Sequence, residues 1–258
     1  MNTRYLSRPF ALSAALAGLL AMPLSAQAFH PLITDDTGTQ GAGGNQFEVG
    51  YDYAKSREAG ASETARGVPL TYTRGLLDNL DVFVGVTRQT DPVSGWSNIG
   101  VGAKWRFHDN EASKLSMAIK PEIVFPVSRA DEADGLGNGE TSFALTFILS
   151  QETAFGAVHV NAGVERSNFA DNSITDRKTV YRASIAPVWE VAEGWNLALD
   201  MGIQTNPDRG QDYTMGFIEV GAVYSPSDNL DLSLGIIRDL MDGPVETTSA
   251  TLGLTWRF

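Results

Sequence analysis

The sequence predicts an all-β protein: a transmembrane up-and-down antiparallel β-barrel of about twelve strands, with short periplasmic turns and longer extracellular loops. Three observations predict it. Apolar residues recur with a period of two along nearly the whole chain, the connections sort into short and long ones, and four of the five tryptophans collect at one end of the strands. Successive side chains leave opposite faces of a strand, so this period marks strands with one apolar and one polar face. Such a sheet in lipid must close, because backbone groups left unpaired at an edge are costly in hydrocarbon.

Residues 1–28 precede the barrel and carry the three parts of a secretory signal. Arg4 and Arg8 supply the positive end, residues 10–24 the apolar core, and Ala26-Gln27-Ala28 the cleavage site. The apolar run is too short for a spanning helix, which needs ~20 residues. Cleavage after Ala28 is expected, with an N-terminal periplasmic or lumenal segment at 29–44 and the barrel at 45–258. Without Arg4 and Arg8 the 19 basic residues fall to 17 against 31 acids, a formal charge near −14. That balance argues against a nucleic-acid partner, whose phosphates need a basic footprint. Cysteine is absent, which excludes disulfides, thiol catalysis and thiolate metal sites.

The strands follow in order. Phe47, Val49, Tyr51 and Tyr53 share the first apolar face, opposite Gln46, Glu48, Gly50 and Asp52. A weaker segment at Val68, Leu70 and Tyr72 comes next, then Leu80, Val82, Val84 and Val86. Ile99, Val101, Ala103, Trp105 and Phe107 form another face, followed by Leu115, Met117, Ile119, Ile123 and Phe125. Phe143, Leu145, Phe147 and Leu149 precede Val158, Val160, Ala162 and Val164. Tyr181, Ala183, Ile185 and Trp189 lead to Trp195, Leu197, Leu199, Met201 and Ile203. Ile218, Val220, Ala222 and Tyr224, then Leu230, Leu232, Leu234 and Ile236, then Ala250, Leu252, Leu254, Trp256 and Phe258 complete the set.

Short connections are expected near 76–79, 108–113, 151–155, 191–194 and 225–229. Longer polar ones are expected near 54–64, 89–95, 127–139, 167–176, 205–212 and 239–247. This is the plan of an outer-membrane barrel. Trp105, Phe107, Trp189, Trp195, Tyr224, Trp256 and Phe258 then fall at the short-turn ends, where an interfacial girdle belongs, and Trp96 joins the outer girdle. A soluble sandwich would scatter its tryptophans through a core.

HPLITDDTGTQG at 30–41, GLGNG at 135–139, DNLD at 78–81 and 228–231, and the terminal TWRF together resemble a family of Gram-negative outer-membrane transporters labelled "meta-pathway of phenol degradation". The resemblance covers essentially the whole mature chain. It implies an outer-membrane barrel that moves hydrophobic or aromatic compounds, and it supplies no catalytic residues. The ending ATLGLTWRF also looks like the signal read by the outer-membrane assembly machinery, carried by Leu252, Leu254, Trp256 and Phe258.

The polar face supplies lumen-lining candidates for solute contact: Lys104, Arg106, Lys120, Glu122, His159, Glu165, Arg182, Asp200 and Glu219. Arg166 and Arg257 join the bases, and Glu48, Asp52, Asp81, Glu190 and Asp231 the acids. A barrel of ~8 strands is filled by such side chains and one of ~16 is open, so twelve allow a narrow pore or a plugged lumen. His159 beside Asn161 is similar to the His/Asn pair of outer-membrane phospholipase A. No serine adjoins it in sequence, however, so it is read as lumen lining.

The acidic loop with Asp131, Glu132, Asp134 and Glu140 lacks EF-hand spacing and reads as a solvated surface. A functional variant would bridge divalent ions to lipopolysaccharide phosphates. His30, Asp35 and Asp36 belong to the segment 29–44, which is expected to fold up into the lumen and pair with lysines and arginines there.

The expectation is therefore a monomeric barrel of the bacterial outer membrane that passes small, hydrophobic or aromatic molecules passively. No catalysis, cofactor or metal is assigned. Its partners are membrane lipid and lipopolysaccharide, the assembly machinery and a small solute. The competing readings are a structural or surface-interaction barrel and, further off, a membrane lipase.

Overall fold

The computed structural model describes residues 31–258 except 59, 211–212 and 241–244. The signal expected at 1–28, its cleavage point and His30 lie outside the described residues. In chain order the elements are β1 (Asn45–Glu58), β2 (Ala61–Leu77), β3 (Leu80–Asp91), β4 (Gly95–Trp96), β5 (Ile99–Asn110) and β6 (Leu115–Phe125). Then come α1 (Arg129–Ala133), β7 (Ser142–Thr153), β8 (Gly156–Arg166), β9 (Thr179–Ala192), β10 (Trp195–Gln204), β11 (Met215–Ser227), β12 (Leu230–Asp239) and β13 (Val245–Arg257).

Apart from the two-residue β4, which borders β3, each strand pairs antiparallel with its neighbours in sequence. The first pairs with the last, from Gln46 with Arg257 to Glu58 with Val245. The result is a closed barrel of twelve strands. The seam is fastened at its periplasmic end by Asn45 N–H to Phe258 O and Phe258 N–H to Asn45 O, both 3.0 Å.

Alternation decides what faces lipid. Leu232, Leu234 and Ile236 on β12 are exposed outward, while Asp231, Ser233 and Gly235 between them face the lumen. The same division runs around the wall. At the short-turn level the aromatics meet in pairs: Trp195 with Tyr224 at 4.6 Å, Trp256 with Phe258 at 4.5 Å, Phe155 with Trp189 at 5.9 Å, and Trp105 with Phe107 at 6.0 Å. Pairs of this kind contribute ~0.5–1.5 kcal/mol beyond their burial, and they mark the inner interface.

Three local expectations are corrected. Residues 54–64 are not a long loop, because the β1–β2 ladder continues through them to Glu58 and Ala61. The weak segment around Val68 is the longest strand, 17 residues, about 55 Å at ~3.3 Å per residue. It reads weakly because Pro69 sits in it. Proline donates no N–H, and the β1–β2 register is interrupted there, between the pairs Val49–Leu70 and Asp52–Gly67. His108, expected in a turn, lies within β5.

On the outer side two of the loops are tied to each other. Ser128 caps α1 by accepting from the Asp131 N–H, and the α1 carboxylate Glu132 is buried. Glu132 accepts from Gly139 N–H at 2.6 Å, Ala170 N–H at 3.0 Å and Asp171 N–H at 2.9 Å. One carboxylate thus sews the 127–141 loop to the 167–178 loop. Leu136 from the GLGNG run is buried against Gly95, where a Cβ would lie 2.1 Å from its Cδ1.

Candidate functional site

Residues 31–44 run through the barrel lumen and are tied to strands on several sides. The lowest ties are backbone ones: Gly43 N–H to Gly75 O at 3.0 Å and Gly75 N–H to Gly44 O at 2.9 Å. The approach is so close that a Cβ on Gly75 would meet Gly41 O at 1.8 Å, while Gly41 itself takes φ +72°. Only glycine serves at both points. Above them, Gln40 N–H reaches the Asp81 carboxylate at 3.0 and 3.2 Å, and the Gln40 side-chain amide donates to Gln46 at 2.9 Å. Thr37 N–H donates to Ser150 Oγ at 3.1 Å, and its hydroxyl lies 2.5 Å from Ser116 Oγ.

The centre of the arrangement is the dipeptide Thr34-Asp35. Lys104 Nζ donates to Asp35 Oδ1 at 2.8 Å and Lys120 Nζ to Asp35 Oδ2 at 2.6 Å. Both lysines and the aspartate are buried. Lys104 also reaches the Asp36 carbonyl at 3.1 Å and the Asp36 carboxylate at 3.8 Å. The side-chain amide of Asn161, oriented to suit, accepts from Asp35 N–H at 2.6 Å and donates to Asp35 O at 2.9 Å. Lys120 Nζ additionally lies 5.1 Å from the centre of the Phe83 ring, within cation–π range.

Thr34 faces the other wall. Its N–H donates to Asp200 Oδ2 at 2.7 Å and its hydroxyl to Asp200 Oδ1 at 2.6 Å, with Ser184 Oγ 2.7 Å from the same hydroxyl. Asp200 stands directly opposite Glu219 in the β10–β11 register. Like charges in that position repel, and a donor pair from the segment relieves one of them. Glu219 has room because its neighbour is Gly235, where a Cβ would lie 2.2 Å from Glu219 Oε1. The lumen thus has a basic wall on β5 and β6 and an acidic wall on β10 and β11, with two consecutive residues of the segment spanning them. Leu32 fills the remaining apolar corner with Ala186, Val188 and Ala198.

The other sequence candidates are distributed around this centre. Arg182 pairs with Glu165, which also accepts from Ser167 Oγ at 2.8 Å. Glu122 is buried on β6 two residues beyond Lys120. Arg106 lies at the periplasmic end, where its guanidinium reaches Asp109 at 3.4 Å and the Asp78 carbonyl at 3.3 Å. Arg257 pairs with Asp231 at 2.6 Å. Leu252, Leu254, Trp256 and Phe258 all point outward to lipid. Two partners were missed from sequence: Thr34 and Asn161 as segment anchors. A hydroxyl flanking the paired aspartates was the available signal for Thr34, whereas nothing short of strand register marks Asn161.

Register also produces a contact that sequence adjacency does not show. Ser150 stands opposite His159 on β7 and β8, and its Oγ lies 2.8 Å from His159 Nδ1. The pair is buried in the lumen beneath Thr37, whose N–H occupies Ser150 Oγ. It therefore faces the lumen, away from the lipid where a phospholipase acts.

In the outer loops, the backbone and side chain of Ser173 hold the Asp171 carboxyl below its usual range. Burial, reinforced by Asp208, raises that of Asp176. Among the described residues no three His, Asp or Glu side chains converge in a way that would hold a metal.

A closed barrel with an apolar belt, an aromatic inner girdle and a polar, charged lumen has the architecture of an outer-membrane β-barrel. Its residues 17–258 match the family described as "Putative MetA-pathway of phenol degradation", and the chain belongs to that family. No curated protein matches it. Among solved structures, an outer membrane channel from Pseudomonas putida F1 is similar over 88% of this chain and 100% of its own, at 15% identity and a TM-score of 0.73. The NanC porin is similar over 81% of this chain and 98% of its own, at 10% identity and a TM-score of 0.58. The KdgM porin covers 81% and 99%, at 8% identity and a TM-score of 0.53. These likenesses establish the fold.

Proposed function

We propose that the chain is a channel for passive passage of small, hydrophobic or aromatic molecules, in which residues 31–44 form a removable plug. The observation that carries the reading is the way the segment is held. It is tied to the wall by discrete hydrogen bonds and one ion-pair cluster, with a single small apolar contact set around Leu32. A segment meant as permanent core would bury apolar side chains. One held by polar ties can exchange them for water or solute. Membership in the phenol-degradation family and the channel named among similar structures support the same reading.

The protein is read as non-enzymatic, with the signal cleaved after Ala28, the C-terminal aromatic as the assembly signal and lipopolysaccharide as the outer lipid partner. Reconstitution in liposomes tests the function. Phenol flux is expected, and deletion of 29–44 from the mature chain should raise conductance. Absence of flux for every small solute, with or without the segment, would remove the transport reading and leave the barrel.

One observation favours a second reading, a structural barrel. The outer loops are knit together through Glu132 rather than left open. Deleting 127–139 separates the two readings: a channel changes its uptake, whereas a structural barrel changes membrane integrity.

A further inference from the structure

We propose that the Lys104–Lys120 pair is a carboxylate-binding subsite, that Asp35 occupies it as a built-in stand-in for solute, and that small aromatic carboxylates compete with Asp35 and thereby favour the open channel. This deepens the channel reading and rests on it.

The geometry of Asp35 is that of a bound ligand. Each of its two oxygens meets a different lysine, at 2.8 and 2.6 Å, and the aspartate belongs to a segment outside the barrel wall. The two ammonium groups come from adjacent strands and converge on one carboxylate, which offsets the repulsion between them. If the segment leaves, both lysines lose the carboxylate that now meets each of them directly, and removing one member of a buried ion pair is unfavourable. Plug withdrawal is therefore coupled to whatever replaces the carboxylate. A ligand that binds only the unplugged lumen shifts the population toward it.

The surroundings narrow the class. Phe83 is buried beside Lys120 and places an aromatic ring next to the subsite. On the far wall Asp200 now accepts two hydrogen bonds from Thr34, so it suits a solute carrying a donor at the end away from its carboxylate. A planar hydroxylated aromatic acid fits both walls, as Thr34 and Asp35 do together.

The experiment uses the folded full barrel in detergent, with folding verified by the heat-modifiable gel shift. Binding of 4-hydroxybenzoate and of neutral 4-hydroxybenzyl alcohol is measured calorimetrically. Asp35→Ala, which removes the competing carboxylate, should bind 4-hydroxybenzoate about tenfold or more tighter than the native chain. The alcohol should show no such gain. Adding Lys104→Gln and Lys120→Gln to Asp35→Ala should abolish the gain. Asp35→Asn, nearly isosteric, serves if the alanine variant fails to fold, and the same gain is expected.

Equal affinity of native and variant barrels for the acid, or an equal gain for the alcohol, overturns the proposal. Phenol flux in liposomes distinguishes its failure from that of the channel reading. Phenol passing without carboxylate binding sinks the subsite alone, and carboxylate binding without any flux sinks the channel.

Discussion

Glu132, Gly75 and His159 show how much a single position decides here, and each supports a prediction. Glu132 satisfies three backbone N–H groups from two loops. Hydrogen bonds to a charged group contribute ~1.5–3 kcal/mol each, and a buried donor left without a partner is penalised. Glu132→Ala is therefore expected to loosen both loops by about 2–4 kcal/mol. Proteolysis should then cut near 127–141 and 167–178 while the gel shift of the barrel stays unchanged. Gly75→Val sets a side chain against the Gly41 carbonyl, since even a Cβ would come within 1.8 Å of it. The predicted outcome is a folded barrel with a displaced segment, read as raised conductance. For His159→Ala, a phospholipid hydrolysis assay is expected to find no activity in either form, because Ser150 and His159 are enclosed in the lumen. Hydrolysis by the native chain that the variant loses would establish the lipase reading.

Strands carry their own test, because one-residue periodicity separates lipid from lumen. Leu234 faces outward near the middle of β12, and Ser233 beside it faces in. Leu234→Arg is predicted to destabilise the barrel by ~2–4 kcal/mol, the penalty of a cation at the bilayer midplane. Ser233→Arg should interfere through lumen space instead. Refolding titrations in lipid vesicles distinguish them, since only the first should scale with depth in the membrane. Most strands were legible for this same reason, as lipid on one side and polar lumen on the other enforce alternation. The exception, β2, was faint because Pro69 breaks the pattern and the ladder to β1. The supposed loop at 54–64 was misread because its residues are mostly polar, while the β1–β2 ladder runs on through them.

At the level of the whole barrel, the architecture was already legible in the residue pattern. Closure, the sorted turns and the inner girdle follow from solvation, which acts on every residue according to the face it occupies. It also separated the polar face of the strands from the apolar one. Only the tertiary structure decided which charges meet. Lys104 and Lys120 come together with Asp35, 69 and 85 residues away. Thr34 meets Asp200 across 166 residues, and Ser150 meets His159 through strand register. Such pairings depend on barrel circumference, register and the path of the N-terminal segment. A periodic pattern records which face a residue occupies. It carries no information about what stands across the lumen, because that distance is set by closing the sheet.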